Sequence, residues 1–278
     1  MPQASVFGKA LRDVRWQVFW YGLGLALLGA LVAYIYPSYR DQLADFEIPE
    51  AFKAFLGENA DYASPEGYLT AEFFSWTPIL LVIFALMQGT NLIGGEESNG
   101  TIDILLAQPI RRRTLLIEKF AAYAIGSLGI AAFACAGWFG SIPFVDIDIS
   151  LGVLLVATFN LVPVTLMFGA LALYLSVALP ARQQATGVAA AISIATYMVN
   201  YLASLVDVLK PFRWLSPFHY ANTTSALSSG IDWPKLGVLV LLIAIFVLLA
   251  VRAFERRDIG IRGSRGVLPA LLRRSAGA

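Results

Sequence analysis

Few residues in this chain are equipped for chemistry, and their spacing restricts what they can do. The single histidine, His219, lies between Asp207 and Asp232. General acid–base catalysis needs a positioned pair, and nothing in this spacing demands one. We expect His219 to sit at an interface with a hydrogen-bond partner. One cysteine, Cys135, excludes an internal disulfide framework and a multi-cysteine metal site. The phosphate-cradling Gly-x-x-x-x-Gly-Lys-Ser/Thr loop, the His-Glu-x-x-His zinc pair and the Gly-x-Ser-x-Gly elbow are all missing. We therefore expect no catalysis, no metal and no cofactor in this chain itself.

The remaining polar candidates lie inside apolar stretches and are neutral. They are Gln88, Thr90 and Asn91, then Asn160 and Thr165, then Thr196 and Asn200. Ion-coupled transporters place ionisable groups at the membrane midplane. Here the first five apolar stretches hold no Asp, Glu, Lys or Arg. Interhelical hydrogen bonding, at about 0.6–2 kcal/mol each, is the ordinary role of such groups.

The elements that must position these residues follow from composition. Of 278 residues, 58% are hydrophobic and 14% charged, against about 25% charged in a soluble domain; mean hydropathy is +0.69. Such a chain cannot clothe itself with polar groups in water. A soluble enzyme and a disordered chain are excluded, and a net charge of +1 argues against a nucleic-acid binder. Uncharged stretches run Trp16–Tyr39, Phe73–Gly95, Phe120–Val145, Ile149–Ala181, Gln183–Val206 and Leu236–Val251. The last is short, but Lys235 and Arg252 can snorkel to the two interfaces. The runs are continuously apolar and do not alternate, which argues against a barrel. The expectation is an all-α polytopic membrane protein with six spans, at about 17–37, 74–95, 115–141, 151–180, 184–206 and 234–254.

With the N-terminus in the cytoplasm, 15 of the 20 basic residues fall on the cytoplasmic side. Both termini are therefore expected inside a cell membrane. The loop 38–73 then faces outward with eight acids, and Pro49, Phe52, Phe55 and Leu56 suggest a small helical cap there. The first span lacks a small-x-small cleavage site and is expected to remain as an anchor. Before it, Phe7, Leu11, Val14 and Val18 share one helical face, which predicts an N-terminal interfacial helix. The element between the last two spans, around Pro211 and Pro217, predicts a broken or re-entrant segment rich in aromatics. The tail 255–278 is basic and suited to anionic lipid headgroups.

The segment 96–113 carries the most information. Ser98 or Asn99 can cap a short helix, and Ile102, Leu105 and Leu106 form its apolar stripe. Pro109 ends it, and Arg111, Arg112 and Arg113 mark the interface. Thr114 can cap the third span, with Glu118 in its first turn. The pattern predicts a rigid amphipathic bar on the cytoplasmic side. The bar either docks a partner or is a surface turn beside a topogenic arginine cluster.

Glu96-Glu97, Gly100-Thr101, Leu105-Leu106, Pro109, Arg111 and Lys119 resemble the signature of ABC-2 type permeases, the membrane subunits of type-2 ABC exporters. Trp214 to Tyr220 and Phe254 to Ile259 look like further marks of that family, and the long first loop resembles its NosY-like branch. The resemblance implies that Thr101 to Ala107 is a coupling helix seated on a separate nucleotide-binding subunit, which binds ATP and Mg. It implies that Glu96 and Glu97 link the tilt of span two to that subunit, and that Arg111 and Arg113 contact it or lipid phosphates. It also implies a second permease copy, with the path between the two. Gln88, Asn91, Asn160, Thr165, Thr196 and Asn200 are then candidates to line it. A passive channel, a secondary transporter and a non-transporting membrane anchor for an ATPase are the alternatives.

Overall fold

The computed structural model describes residues 6–44, 64–102, 110–221, 223 and 226–256, and every regular element among them is helical. Six helical stretches are long and apolar enough to cross a membrane. Helix α1 runs Val6–Ala44. After the first loop, α2 (Pro65–Leu69) leads through a π-turn at Thr70–Phe74 into α3 (Thr77–Ser98). Helix α4 spans Arg112–Ser141. Helices α5 (Leu151–Phe159) and α6 (Val162–Ala178) make one broken span. Helix α7 covers Arg182–Leu202. A 3-10 stretch at Asp207–Leu215 and the short helices α8 (Pro217–Ala221) and α9 (Ala226–Ser229) precede α10 (Trp233–Arg256).

Several elements differ from the expectation for physical reasons. Residues 6–16 are not set off as a separate helix; they are the start of α1, which runs through Gly8 without a break. Part of the predicted outer loop, Pro65–Phe74, is helical and buried, because Tyr68, Leu69, Phe73 and Phe74 insert into the aromatic end of the core. Pro65 suits the first turn, and Ser64 caps it by accepting from the Gly67 N–H. The fourth span breaks at Asn160-Leu161 because Pro163 cannot donate back across the break. Pro49, Phe52, Phe55 and Leu56, and the tail from residue 257 onward, lie outside the described residues.

Helices α3 and α6 form the centre of the bundle. Helix α6 is packed by α3, α7 and α10, while α1 leans mainly on α4. Gly89 permits the central crossing: a Cβ there would meet the Gly169 carbonyl oxygen at 2.4 Å and the Ala172 Cβ at 2.7 Å. The opposite end from Val6 is filled by Phe73, Phe74 and Trp138, whose indole N–H donates to the Thr158 hydroxyl at 3.1 Å. A second apolar cluster joins Val6, Ile93, Ile102, Leu115, Val177 and Phe254. It places the starts of α1 and α4 beside the ends of α3, α6 and α10, so Val6 and Phe254 lie at the same end of the bundle. The outward faces carry Trp16, Trp20, Leu27, Leu31 and Tyr34 on α1, and Val240, Leu241 and Leu248 on α10. That is the surface of a protein whose solvent is lipid.

Candidate functional site: a charged clasp at the end of the second span

The sequence Glu96 to Thr101 builds a helix stop. Asn99 is the last residue with helical geometry, and Gly100 follows at φ +68°, in the left-handed region that favours glycine. The Gly100 N–H donates to the Glu97 carbonyl at 3.2 Å, and the Thr101 N–H to the Glu96 carbonyl at 2.9 Å. These two bonds are the Schellman pattern that satisfies the last carbonyls of a helix. Ser98 and Asn99 thus end α3, where the sequence pattern had them starting the next helix. The Thr101 hydroxyl turns back onto the Glu96 carboxylate. One short motif therefore halts the helix and ties the following strap to a buried acid.

That acid is the centre of a charged clasp. The Lys119 ammonium, from α4, donates to Glu96 Oε1 at 2.7 Å and to the Leu92 carbonyl at 2.8 Å. Lys9, from α1, reaches the same Oε1 at 3.1 Å. Lys119 and Glu96 are nearly enclosed, whereas the Lys9 side chain is 44% exposed. Beside the clasp the Glu118 carboxylate accepts from the Phe7 N–H at 3.0 Å. It caps α1, so its helix-dipole role falls on the neighbour and not on α4. Arg111, not Thr114, occupies the N-cap position of α4. Arg112 reaches the Phe254 carbonyl at 3.2 Å and lies over its ring, joining α4 to α10. Arg111 and Arg113 are exposed at the same end.

Of the predicted coupling residues, Glu96, Gly100, Thr101 and Lys119 thus come together in one clasp. Ile102 is buried in the chain's own apolar cluster, so the stripe it begins is seated on the bundle at that residue. Glu97 is half-buried at the foot of α3. Leu105, Leu106 and Pro109 lie outside the described residues.

The six polar candidates in the spans are not brought together. Gln88 and Asn91 line a cleft with Glu96 and Lys119. Thr165 is buried deeper; its hydroxyl donates to the Leu161 carbonyl at 2.8 Å, and its own carbonyl accepts from the Tyr123 hydroxyl at 2.6 Å. Asn160 donates through Nδ2 to the Ala221 carbonyl at 2.8 Å, pinning α8 to the break in the fourth span. Thr196 donates to the Ile192 carbonyl of its own helix at 2.8 Å. Asn200 Oδ1 is buried without a partner among the described residues. Thr90, in contrast, meets the Thr186 hydroxyl at 3.2 Å and links α3 to α7.

His219 departs from its expectation. Its Nε2 is enclosed and has no hydrogen-bond partner among the described residues. The ring instead packs edge-on to Trp214 and Tyr220 at 4.9 and 5.2 Å between centroids. Burial, then Arg213 and Lys235, lower its pKa from the usual histidine value, with Asp232 opposing. Asp232 is held by the Lys235 N–H at 3.1 Å and the Lys235 ammonium at 3.1 Å. Asp207 pairs with Lys210 at 2.7 Å. Both carboxylates are therefore engaged by lysines.

Sequence reasoning placed Arg112 at the interface but gave no partner to Lys9 or Arg112. Their partners lie on other helices 87 to 142 residues away for Lys9 and Arg112, and no periodicity within one helix reports such pairs.

A family profile described as ABC-2 family transporter protein matches residues 5–259. The chain belongs to the ABC-2 family of transporter proteins. No match was found among curated proteins. ABC-2 membership fits an all-helical, multi-pass chain and identifies it as a permease-type membrane component of an ABC transporter. The clasp lies at the end of this permease's second span.

Proposed function

We propose that this ABC-2 permease moves its substrate with energy from a separate nucleotide-binding subunit that binds ATP and Mg. The segment 101–113 is the contact with that subunit, both termini are cytoplasmic, and the site is the cell membrane. A second permease copy completes the path, to which Gln88, Asn91 and Asn200 contribute. The long first loop fits the NosY-like branch of the family.

The observation that carries this reading is the way the segment is anchored. A surface turn needs no buried acid at its base. Here the helix stop, the Thr101 hydroxyl, Lys119 and Lys9 all converge on Glu96. Such convergence transmits displacement, because three helices share one rigid contact. Force applied to the strap beyond Thr101 then reaches α1, α3 and α4 together. The Arg112–Phe254 bond and the Ile102 seat extend the linkage to α10.

The test is co-purification with the nucleotide-binding subunit. Replacing Leu105 and Leu106 with Asp should abolish retention of that subunit while membrane insertion stays normal. Undiminished retention, or ATP hydrolysis by the purified chain alone, would overturn the reading.

A further inference from the structure

Between the last two spans lies a helical stretch that the bundle does not cover. Residues Asp207–Leu215 form a 3-10 helix with no buried residue, although six of the nine are apolar. Val208, Phe212, Trp214 and Leu215 are 76%, 51%, 65% and 73% exposed. The main neighbours of the stretch are α7, which precedes it, and α8, which follows.

The fold fixes its two ends and leaves its middle standing clear. Before it, the Val206 N–H donates to the Leu202 carbonyl of α7 at 2.8 Å. After it, the Ser216 hydroxyl donates to the Thr196 carbonyl of α7 at 2.8 Å. The Tyr220 hydroxyl holds the Trp214 carbonyl at 2.8 Å. Phe218 then packs on Phe168 of α6 and Tyr197 of α7, at 5.0 and 5.3 Å between ring centroids.

The stretch is sorted by chemistry. In a 3-10 helix, residues three apart stand one above another. Asp207, Lys210 and Arg213 therefore form a single charged row, and Lys210 pairs with Asp207 along it at 2.7 Å. Val208, Pro211 and Trp214 make a second row, and Leu209, Phe212 and Leu215 a third. Full immersion in water gives no reason for such sorting, since two apolar rows exposed to it gain nothing. A boundary between lipid and water does.

The level of the stretch along the bundle identifies the boundary. It follows the end of α7 and precedes the start of α10, and both helices are long and apolar enough to cross the membrane. It therefore sits where the spans leave the hydrocarbon. The exposed apolar side of α7 continues into it through Met198, Leu202, Leu205 and Val206. Trp233, at the start of α10, is exposed as well. Tryptophan, lysine and arginine at span ends belong to the headgroup region. Two cations against one carboxylate leave the charged row positive, which suits lipid phosphates.

We infer that Asp207–Leu215 lies in the bilayer surface, with Val208, Phe212 and Leu215 toward the acyl chains and Lys210 and Arg213 among the phosphates. Ser216 and Phe218 join it to α6 and α7, so the leaflet holds those two helices through this foot. The inference requires neither a nucleotide-binding subunit nor a choice of which side is cytoplasmic, so it stands or falls separately from the proposed function.

Nitroxide labels on the full chain, in vesicles of phosphatidylethanolamine and phosphatidylglycerol, test it. The variants are Val208→Cys, Lys210→Cys, Phe212→Cys, Arg213→Cys and Leu215→Cys. None of these residues is buried in the bundle, and the native Cys135 is buried, so the unsubstituted chain serves as the blank. Collisions with oxygen, which concentrates in lipid, and with a water-soluble nickel chelate give the depth of each label. We expect labels at 208, 212 and 215 to lie about 5–10 Å below the phosphates and to favour oxygen. Labels at 210 and 213 should lie at or above the phosphates and favour the chelate. Equal access of the chelate to all five places the stretch in water and overturns the inference. So does shielding of 208, 212 and 215 from both reagents, which means that a protein surface covers them. Oxygen favoured at all five, 210 and 213 included, makes the stretch re-entrant and overturns it too.

Discussion

Replacing Lys119 with Met tests whether the clasp holds the bundle together. The Lys119 and Glu96 side chains are 7% and 11% exposed. Removing one partner of a buried ion pair costs about 3–5 kcal/mol, because the other charge is left uncompensated. Glu96 retains Lys9 and the Thr101 hydroxyl, and Lys9 is well exposed, so the lower end applies: about 3 kcal/mol. That corresponds to a drop in melting temperature of about 6–12 °C for a chain of this size. Met keeps the length of the stem, so the loss reports charge and not volume. The double variant Glu96→Leu with Lys119→Met removes both charges and should recover much of the loss, with a coupling energy near ~2 kcal/mol. Intrinsic tryptophan fluorescence during thermal unfolding in detergent measures all three variants. A fall below about 2 °C for the single variant, or a double variant whose losses simply add, would refute the reasoning. Either result would mean that water, not Glu96, solvates the ammonium.

Gly89→Ala should destabilise the bundle by about 1–3 kcal/mol, read by the same unfolding assay, since the new methyl collides with the Gly169 backbone oxygen. Stability should also fall on acidification below about pH 6.5, the ordinary histidine value. The folded chain holds His219 below that value, so in this window the unfolded chain binds more protons and the folded state is penalised. Above it His219 is neutral in both states and contributes nothing, and His219→Gln should flatten the acid limb of a melting-temperature profile.

Much of the architecture was readable from hydropathy. Six uncharged stretches, bounded by snorkelling Lys235 and Arg252 in the shortest case, correspond to six helices because lipid forces the backbone to satisfy itself locally. Helix ends were less legible. Ser98 and Asn99 have the composition of an N-cap, yet Gly100 at positive φ makes them the end of α3. The outer loop was assigned too many residues because the charges Glu66 and Glu72 obscure a helix whose other faces carry Tyr68, Leu69 and Phe73 into the core. At the site, the Glu96, Gly100, Thr101 and Lys119 spacing was visible, but its physical content was not. A helix stop is local and can be read from Gly-Thr. The convergence of Lys9 and Lys119 on one oxygen is tertiary.

The arrangement constrains how this end of the protein can move. A Schellman end satisfies its own carbonyls, so α3 gains nothing by unwinding at Glu97 or Ser98. The strap is pinned again at Thr101 by hydroxyl and amide, and at Ile102 by burial. Displacing the strap locally would break the Thr101 bonds and expose Ile102, and would strip a donor from Glu96 in a poorly hydrated setting. Moving α3 as a body keeps the helix-stop bonds and the Thr101–Glu96 contact, and the Lys9 side chain, 44% exposed, can follow. Lys119 is the stiffer tether, because it holds both Glu96 and the Leu92 carbonyl one turn earlier. A push on this segment is therefore passed to α3 as a body and from it to α6, on which α3 is most closely packed at Gly89.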